Sequence, residues 1–139
     1  MEAVNMDLVK IGELELYFKV GELSATVFEF VVPSRARVPA PHYHREADEI
    51  LYGLEGILTV TVDGSVQDLG PGDSLFIPRG SVHHHENLSD ELSRTLVVIT
   101  PGAITRAYFE ELAEVINVPG KPDLAKAQQI MMNHGLVPA

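Results

Sequence analysis

The sequence predicts an all-β fold, a roll or barrel of two sheets, with two short α-helices at its C-terminal end. Three observations predict it. Residues 14 to 99 form a succession of short runs rich in β-branched and aromatic residues. Turn signals break these runs about every 8 to 12 residues, the spacing of barrels and double-sheet rolls. After Pro101 the apolar residues recur at helical spacing instead of alternating.

The elements follow in order. "ELELYFKV" alternates, with Leu14, Leu16 and Phe18 on one side, and Gly21 punctuates it. "LSATVFEFVVP" is a strand that stops at Pro33, because proline has no N–H for the ladder. "PSRARVPAP" is a proline-broken connection. "EILYGLEGILTVTVDGSVQDLGPGD" reads as strand, turn, strand, hairpin, strand and turn, with Asp63-Gly64 as the hairpin signal and Gly70, Pro71 and Gly72 as the next turn. "SLFIP" and "VHHHENLS" are two short strands, and "ELSRTLVVITP" is a longer apolar one. In these runs Phe76 and Ile77 are expected to pack in the barrel, while Tyr52 serves equally as a core or an interface aromatic. "TRAYFEELAEVINVPG" puts Phe109, Leu112, Ala113 and Ile116 on one helical face, with Thr105 as N-cap and Gly120 just beyond the end. "KPDLAKAQQIMMNHG" opens with Pro122 in its first turn and closes on Gly135. Its apolar side is Leu124, Ala127 or Gln128, and Met131. The organisation expected is a barrel over 1–100 and a helical extension over 101–139, packed on the barrel or on a partner.

Composition narrows the functions. A chain of 139 residues, 45% hydrophobic and 22% charged, can bury a core without staples. Ten basic against twenty acidic residues leave a formal charge of −10, which repels phosphate backbones and anionic lipid. Neither nucleic acid nor membrane is therefore an expected partner. The absence of cysteine excludes disulfides and thiolate ligands and suits the cytoplasm. The N-terminal stretch has no apolar run of the leader kind, and no segment approaches about 18 consecutive apolar residues.

The chemistry lies in two histidine-bearing stretches. In "PHYHREADEILYGLEG", His42 and His44 stand two apart, so in an extended segment both imidazoles face one point and Tyr43 faces away. Glu49 opens the next strand and can close on that point. A third imidazole from a facing strand would complete three nitrogens and one carboxylate, a set suited to Fe, Mn, Co, Ni, Cu or Zn with coordination positions left open. "PGDSLFIPRGSVHHHEN" offers that imidazole. Alternation puts His83 and His85 on one face and His84 on the surface, and leaves the choice between His83 and His85 open. Glu46 and Asp48 read as solvated loop charges. His134 reads as a structural residue meeting the last carbonyls of its helix.

These two stretches resemble the two motifs of the cupins. The first has His-x-His, four residues, Glu, six residues, Gly. The second has Gly72, five residues, Pro78, one residue, Gly80, two residues, His83, three residues, Asn87. Fifteen residues separate Gly56 from Gly72. The resemblance spans roughly residues 36 to 99 and departs at Ala36, where the family's first motif opens with glycine, which puts that loop's geometry in doubt. It implies a cupin-type double-stranded β-helix, a jelly-roll barrel, of the small single-domain kind. It makes His42, His44, Glu49 and His83 the ligands of one divalent transition metal per chain. His85 is then a packed histidine or a cavity-lining donor. A substrate pocket over the metal would be lined by Leu51, Leu58, Val60, His85 and Tyr108, with Glu49 as general base. The segment after the barrel is similar to small quercetinase-like cupins, which implies a dioxygenase acting on a small enol, diketone or aromatic molecule. A ligand-binding cupin without turnover and a metal-dependent isomerase or lyase are the alternatives. A homodimer is expected, pairing through "TLVVIT" and the C-terminal helices.

Overall fold

The computed structural model describes residues 7–139; the first six residues, part of the stretch read above for a leader, lie outside the described residues. Eleven strands and two helices form the described chain: β1 (Asp7–Ile11), β2 (Leu14–Gly21), β3 (Thr26–Val32), β4 (His42–His44), β5 (Asp48–Glu55), β6 (Leu58–Val62), β7 (Ser65–Leu69), β8 (Ser74–Ile77), β9 (His83–Glu86), β10 (Ser93–Thr100), α1 (Arg106–Ile116), α2 (Leu124–Asn133) and β11 (Leu136–Pro138). One sheet has the order β1-β2-β3-β10-β5-β8 and the other β11-β4-β9-β6-β7. All pairings are antiparallel. The two sheets face one another as a double-stranded β-helix, with the inward residues of both forming a single core.

Alternation explains which residues reach that core. Leu14, Leu16 and Phe18 of β2 are buried, as are Val97 and Ile99 of β10 and Leu51 of β5. Each fully buried aliphatic side chain contributes roughly 1.5–3 kcal/mol, so this row accounts for much of the fold's stabilisation. The Asp63-Gly64 hairpin joins β6 to β7 with φ of 47° and 83°, both positive as a two-residue turn of that twist requires. Ala36, in place of the family's glycine, needs no left-handed backbone. The positive φ falls on Arg35, at 54°, whose N–H donates to the Asn87 carbonyl at 2.9 Å.

Two strands were not expected from the sequence. β1 pairs along β2, and β11 pairs with β4, so the C-terminal end of the chain becomes an edge strand of the sheet that carries His42 and His44. The strand "TLVVIT" also differs from expectation. As β10 it is bonded on one side to β3 and on the other to β5, and has no free edge to offer a partner. Phe76, expected in the barrel, is exposed on the outer face of β8, while Ile77 is buried. The parity of four residues between two turns decides between them.

α1 begins where Thr105 Oγ1 accepts the Tyr108 N–H at 3.4 Å. Ile104 and Phe109 occupy the flanking positions of a hydrophobic staple, which sets the angle at which the helix enters. Its buried face is Tyr108, Leu112 and Val115, with Phe109, Ala113 and Ile116 at the margins, a slight rotation from the expected stripe. α2 is capped by Asp123, so Pro122 precedes the cap instead of lying in the first turn. Ala127 and Met131 are buried, but Leu124 is 65% exposed: packing begins one turn into the helix. Gly135, at φ 83°, closes α2 and turns the chain into β11.

Candidate metal centre

His42 and His83 are direct cross-strand partners on β4 and β9, so backbone register brings their imidazoles together. His44 lies two residues on from His42, on the same face. The ring centroids are 5.3 Å apart for His42–His44, and 4.7 Å for both His42–His83 and His44–His83. One nitrogen from each lies within 4.8 Å of the other two. Glu49, at the inward position of β5, reaches across from the opposite sheet. Its Oε1 is 3.8 Å from His44 Nε2 and 4.0 Å from His83 Nε2. Its Oε2 meets His85 Nε2 at 3.2 Å. The structure thus brings His42, His44 and His83 together, sets Glu49 beside His44 and His83, and adds His85 on the Glu49 side.

The orientation of the rings follows from their backbone contacts. His42 Nδ1 donates to the Ala40 carbonyl at 2.9 Å and His83 Nδ1 to the Ser81 carbonyl at 3.0 Å. Each ring then turns a bare Nε2 lone pair inward, the arrangement in which imidazole binds a metal. Two further contacts hold the loop before β9. Gly80, at φ 85°, donates its N–H to the His44 carbonyl at 2.8 Å. Asp48 takes the Arg79 N–H at 2.9 Å and grips the guanidinium at 3.1 and 3.2 Å. Asp48 is therefore not a free loop charge but a brace for the turn that aims His83.

Burial dominates the electrostatics. It pushes the His42 imidazole down to about 3 and the His44 imidazole to about 4, against an ordinary value of 6.5, and it lowers His83 in the same direction. Burial works to raise the Glu49 carboxyl, but the His85 hydrogen bond and the neighbouring imidazoles hold it well below the usual carboxylate range. Neutral imidazoles around an ionised carboxylate are the protonation states that a cation requires of its ligands.

The donor set fits a metal ion. His83 Nε2 is buried with no hydrogen-bond partner, and so are His44 Nδ1 and His85 Nδ1. A buried polar atom without a partner is costly, and an ion at the centre would satisfy the one on His83. Ligand atoms about 2.0–2.1 Å from a common ion lie at most about 4.2 Å from each other, and the Glu49–His44 and Glu49–His83 separations fall inside that limit.

A cavity of about 70 Å³ opens on this cluster. Its wall comes from β2, β3, β10 and α1, through Leu14, Leu16, Phe28, Phe30, Val97 and Phe109 among others, and includes Tyr108 and His85. Leu51, Leu58 and Val60, expected in the wall, do not line it. They point inward but fill the core elsewhere, each at most 1% exposed. Alternation could have found the inward faces of β2 and β3; nothing in the sequence singled out Ile104, which lines the cavity where the chain enters α1. A second, more open cleft of about 350 Å³ lies on the other side of His44 and Ile104, lined by Arg45, Glu46, Met132 and His134 among others. His134 does not turn its ring to the last carbonyls of α2; it binds Glu111 of α1 at 2.6 Å. His84, expected on the surface, is half-buried, 3.8 Å from Glu86.

The family described as a cupin domain matches residues 28–99, just over half of the chain. The chain belongs to the cupins. Among curated proteins, this cupin is 30% identical over 95 residues to quercetin 2,3-dioxygenase of Bacillus subtilis, a match covering 66% of the chain and 28% of that enzyme. It spans half or less of the other curated relatives it matches. Among solved structures it superposes on KdgF from Halomonas sp. with a TM-score of 0.61 at 23% identity, covering 68% of this chain and 86% of that one. That likeness concerns the fold. A sugar phosphate isomerase of the cupin superfamily from Silicibacter pomeroyi gives a TM-score of 0.58 at 27% identity, over 63% of this chain and 59% of that one.

Proposed function

We propose that this cupin is a mononuclear metal-dependent enzyme of the dioxygenase type, acting on a small enol, diketone or aromatic molecule. The observation that carries the reading is the cavity wall. It holds three phenylalanines and a row of aliphatic residues next to the histidine cluster, and among the described residues no lysine or arginine lines it. An uncharged molecule with one pair of oxygens suits that wall. A sugar phosphate would enter it without a counter-charge, which weakens the isomerase reading that the Silicibacter pomeroyi likeness supports. The likeness to quercetin 2,3-dioxygenase supports the class of reaction and leaves the substrate open.

On this reading His42, His44, Glu49 and His83 hold one divalent transition metal, of the Fe, Mn, Ni, Co, Cu or Zn series. Such an ion, when bound, supplies Lewis acidity and one-electron chemistry to an oxygen-bearing substrate. The chain's own residues do the rest. His42 and His83 keep their Nδ1 protons on backbone carbonyls, which fixes the tautomer that leaves Nε2 available. Glu49 takes the acidic proton of the substrate at Oε2, where His85 Nε2 stands 3.2 Å away to hold the carboxylate in position. The apolar wall excludes water from the reacting atoms. The protein works as a homodimer in the cytoplasm.

Elemental analysis of protein purified without added metal tests this, on the wild type and on His83→Ala. We expect about one transition metal per chain in the wild type and a loss of at least tenfold in the variant. Oxygen uptake with 1,3-diketones, flavonols and sugar phosphates follows. Uptake with a diketone or flavonol supports the reading. Isomerisation of a sugar phosphate without uptake replaces it by the isomerase, and tight binding without turnover replaces it by a ligand-binding cupin.

A further inference from the structure

We propose that Tyr108, carried by α1 outside the matched cupin segment, is a ligand-binding residue. Its phenol O–H donates a hydrogen bond to one oxygen of a small ligand whose other oxygen faces the histidine cluster. The inference rests on the metal-site reading above for where that second oxygen lies.

Three observations carry it. Outside the histidines and Glu49, Tyr108 is the only polar side chain among the described residues that line the cavity. The residue is 2% exposed, yet its hydroxyl makes no hydrogen bond to any described residue. The oxygen itself is not fully buried, so it keeps access to open space, and its donor is available to a bound ligand. Third, the ring is held in place. It packs on Phe109 at 4.8 Å and on His134 at 5.1 Å between centroids, and His134 is itself tied to Glu111 at 2.6 Å. The Tyr108 backbone N–H is the one that caps α1 on Thr105. A donor fixed in this way is preorganised, which favours binding because little freedom is lost.

The size of the cavity sets the scale of the ligand. A room of about 70 Å³ admits only a small molecule of a few heavy atoms. A ligand of that size is smaller than a three-ring flavonol. Two oxygens, one for Tyr108 and one for the histidine cluster, match the polar groups the cavity presents.

The test compares wild type with Tyr108→Phe, which keeps the ring and removes only the hydroxyl. Acetylacetone, a small molecule with two oxygens, is titrated anaerobically by calorimetry into both proteins at the metal content each has as purified. We expect equal metal content and equal thermal midpoints, and a Kd for acetylacetone about tenfold weaker in the variant, which corresponds to about 1.4 kcal/mol. An unchanged Kd overturns the proposal. So does a wild type that binds no acetylacetone, or a variant that loses its metal or several degrees of midpoint, since Tyr108 would then act through the fold. A wild type that binds the diketone through Tyr108 but consumes no oxygen sinks the dioxygenase reading and leaves this one standing.

Discussion

At the scale of single residues, the second motif contains a polar residue whose work is structural. Asn87 is 1% exposed. Its Nδ2 donates to the Val32 carbonyl at 2.8 Å and to the Glu91 carbonyl at 2.7 Å, and its Oδ1 accepts from the Ser89 N–H at 3.0 Å and the Ser89 hydroxyl at 2.8 Å. The side chain thus ties the end of β3 to the loop that leads from β9 into β10. Removing it strands several buried groups at once, and an unpaired buried donor or acceptor costs about 1–3 kcal/mol. Asn87→Ala should therefore lose about 2–4 kcal/mol in a denaturant melt, against about 0.5 for an ordinary surface change. A loss below 1 kcal/mol would show that water replaces the network at little cost. His42 and His44 were legible in the sequence because spacing within a strand decides the face a side chain takes, whereas His83 was told from His85 only by the resemblance to the second cupin motif. The same reasoning made Leu51, Leu58 and Val60 inward, which they are, but placed them in the cavity wall, which they are not. Parity reports the face and carries no information on depth along the barrel. Tyr108 could be named as an aromatic on a helix, but only the path of α1 brings it to the cavity.

At the scale of elements, the outer face of β5 and β8 is unusual for a sheet in contact with water. Ile50, Tyr52 and Phe76 are each 38% exposed or more, and Ile50 is the cross-strand partner of both Phe76 and Val98. Charges flank this patch in balance: Lys19, Arg79 and Arg94 against Glu29, Asp48 and Glu55, three of each in a chain of net charge −10. Two copies can approach here with less repulsion than elsewhere, and an apolar patch with a polar rim is the anatomy of an interface. We propose that the homodimer uses this face and the edge of β8, which has no second neighbour among the described residues, and not β10, whose two edges are both paired. Phe76→Ser should halve the mass measured by sedimentation equilibrium while leaving metal content and fold intact. A monomeric wild type, or an unchanged dimer in the variant, would place the contact elsewhere or remove it. β10 was legible as a strand but not as a central one, because composition records burial and not which neighbours the topology supplies. β1 and β11 were illegible for a related reason: one mixes two charges into five residues, the other is three residues ending in proline. Both are strands because β2 and β4 present them with an edge.

At the scale of the whole molecule, the metal centre couples stability to pH. The folded protein holds His42 near 3 and His44 near 4, below the ordinary 6.5, and lowers His83 as well. The unfolded chain therefore binds more protons than the folded one between those values, and stability rises with pH across that window. Acidification from 6.5 towards 4 removes it, as the unfolded imidazoles gain protons that the buried ones refuse. Glu49 acts in the same direction at lower pH. Its folded carboxyl is held below the usual range, so its contribution is present above the unfolded value of about 4.5 and is lost as pH falls through and below it. In metal-free protein we expect a fall of about 2–4 kcal/mol between pH 7 and pH 5, read from denaturant midpoints. Replacing a buried imidazole by an apolar group removes its share of the slope, so His44→Leu should flatten the curve across this range. Added metal raises the midpoint at pH 7 by mass action, and this increment shrinks on acidification as protons compete for the same nitrogens. A metal-free wild type with a flat profile, or a His44→Leu profile as steep as the wild type's, would mean that these imidazoles are not held neutral by burial. The electrostatic case for a preformed metal site would then fail. A steep metal-free profile that metal leaves unchanged at pH 7 would mean instead that the histidines are buried neutral but do not close on an ion.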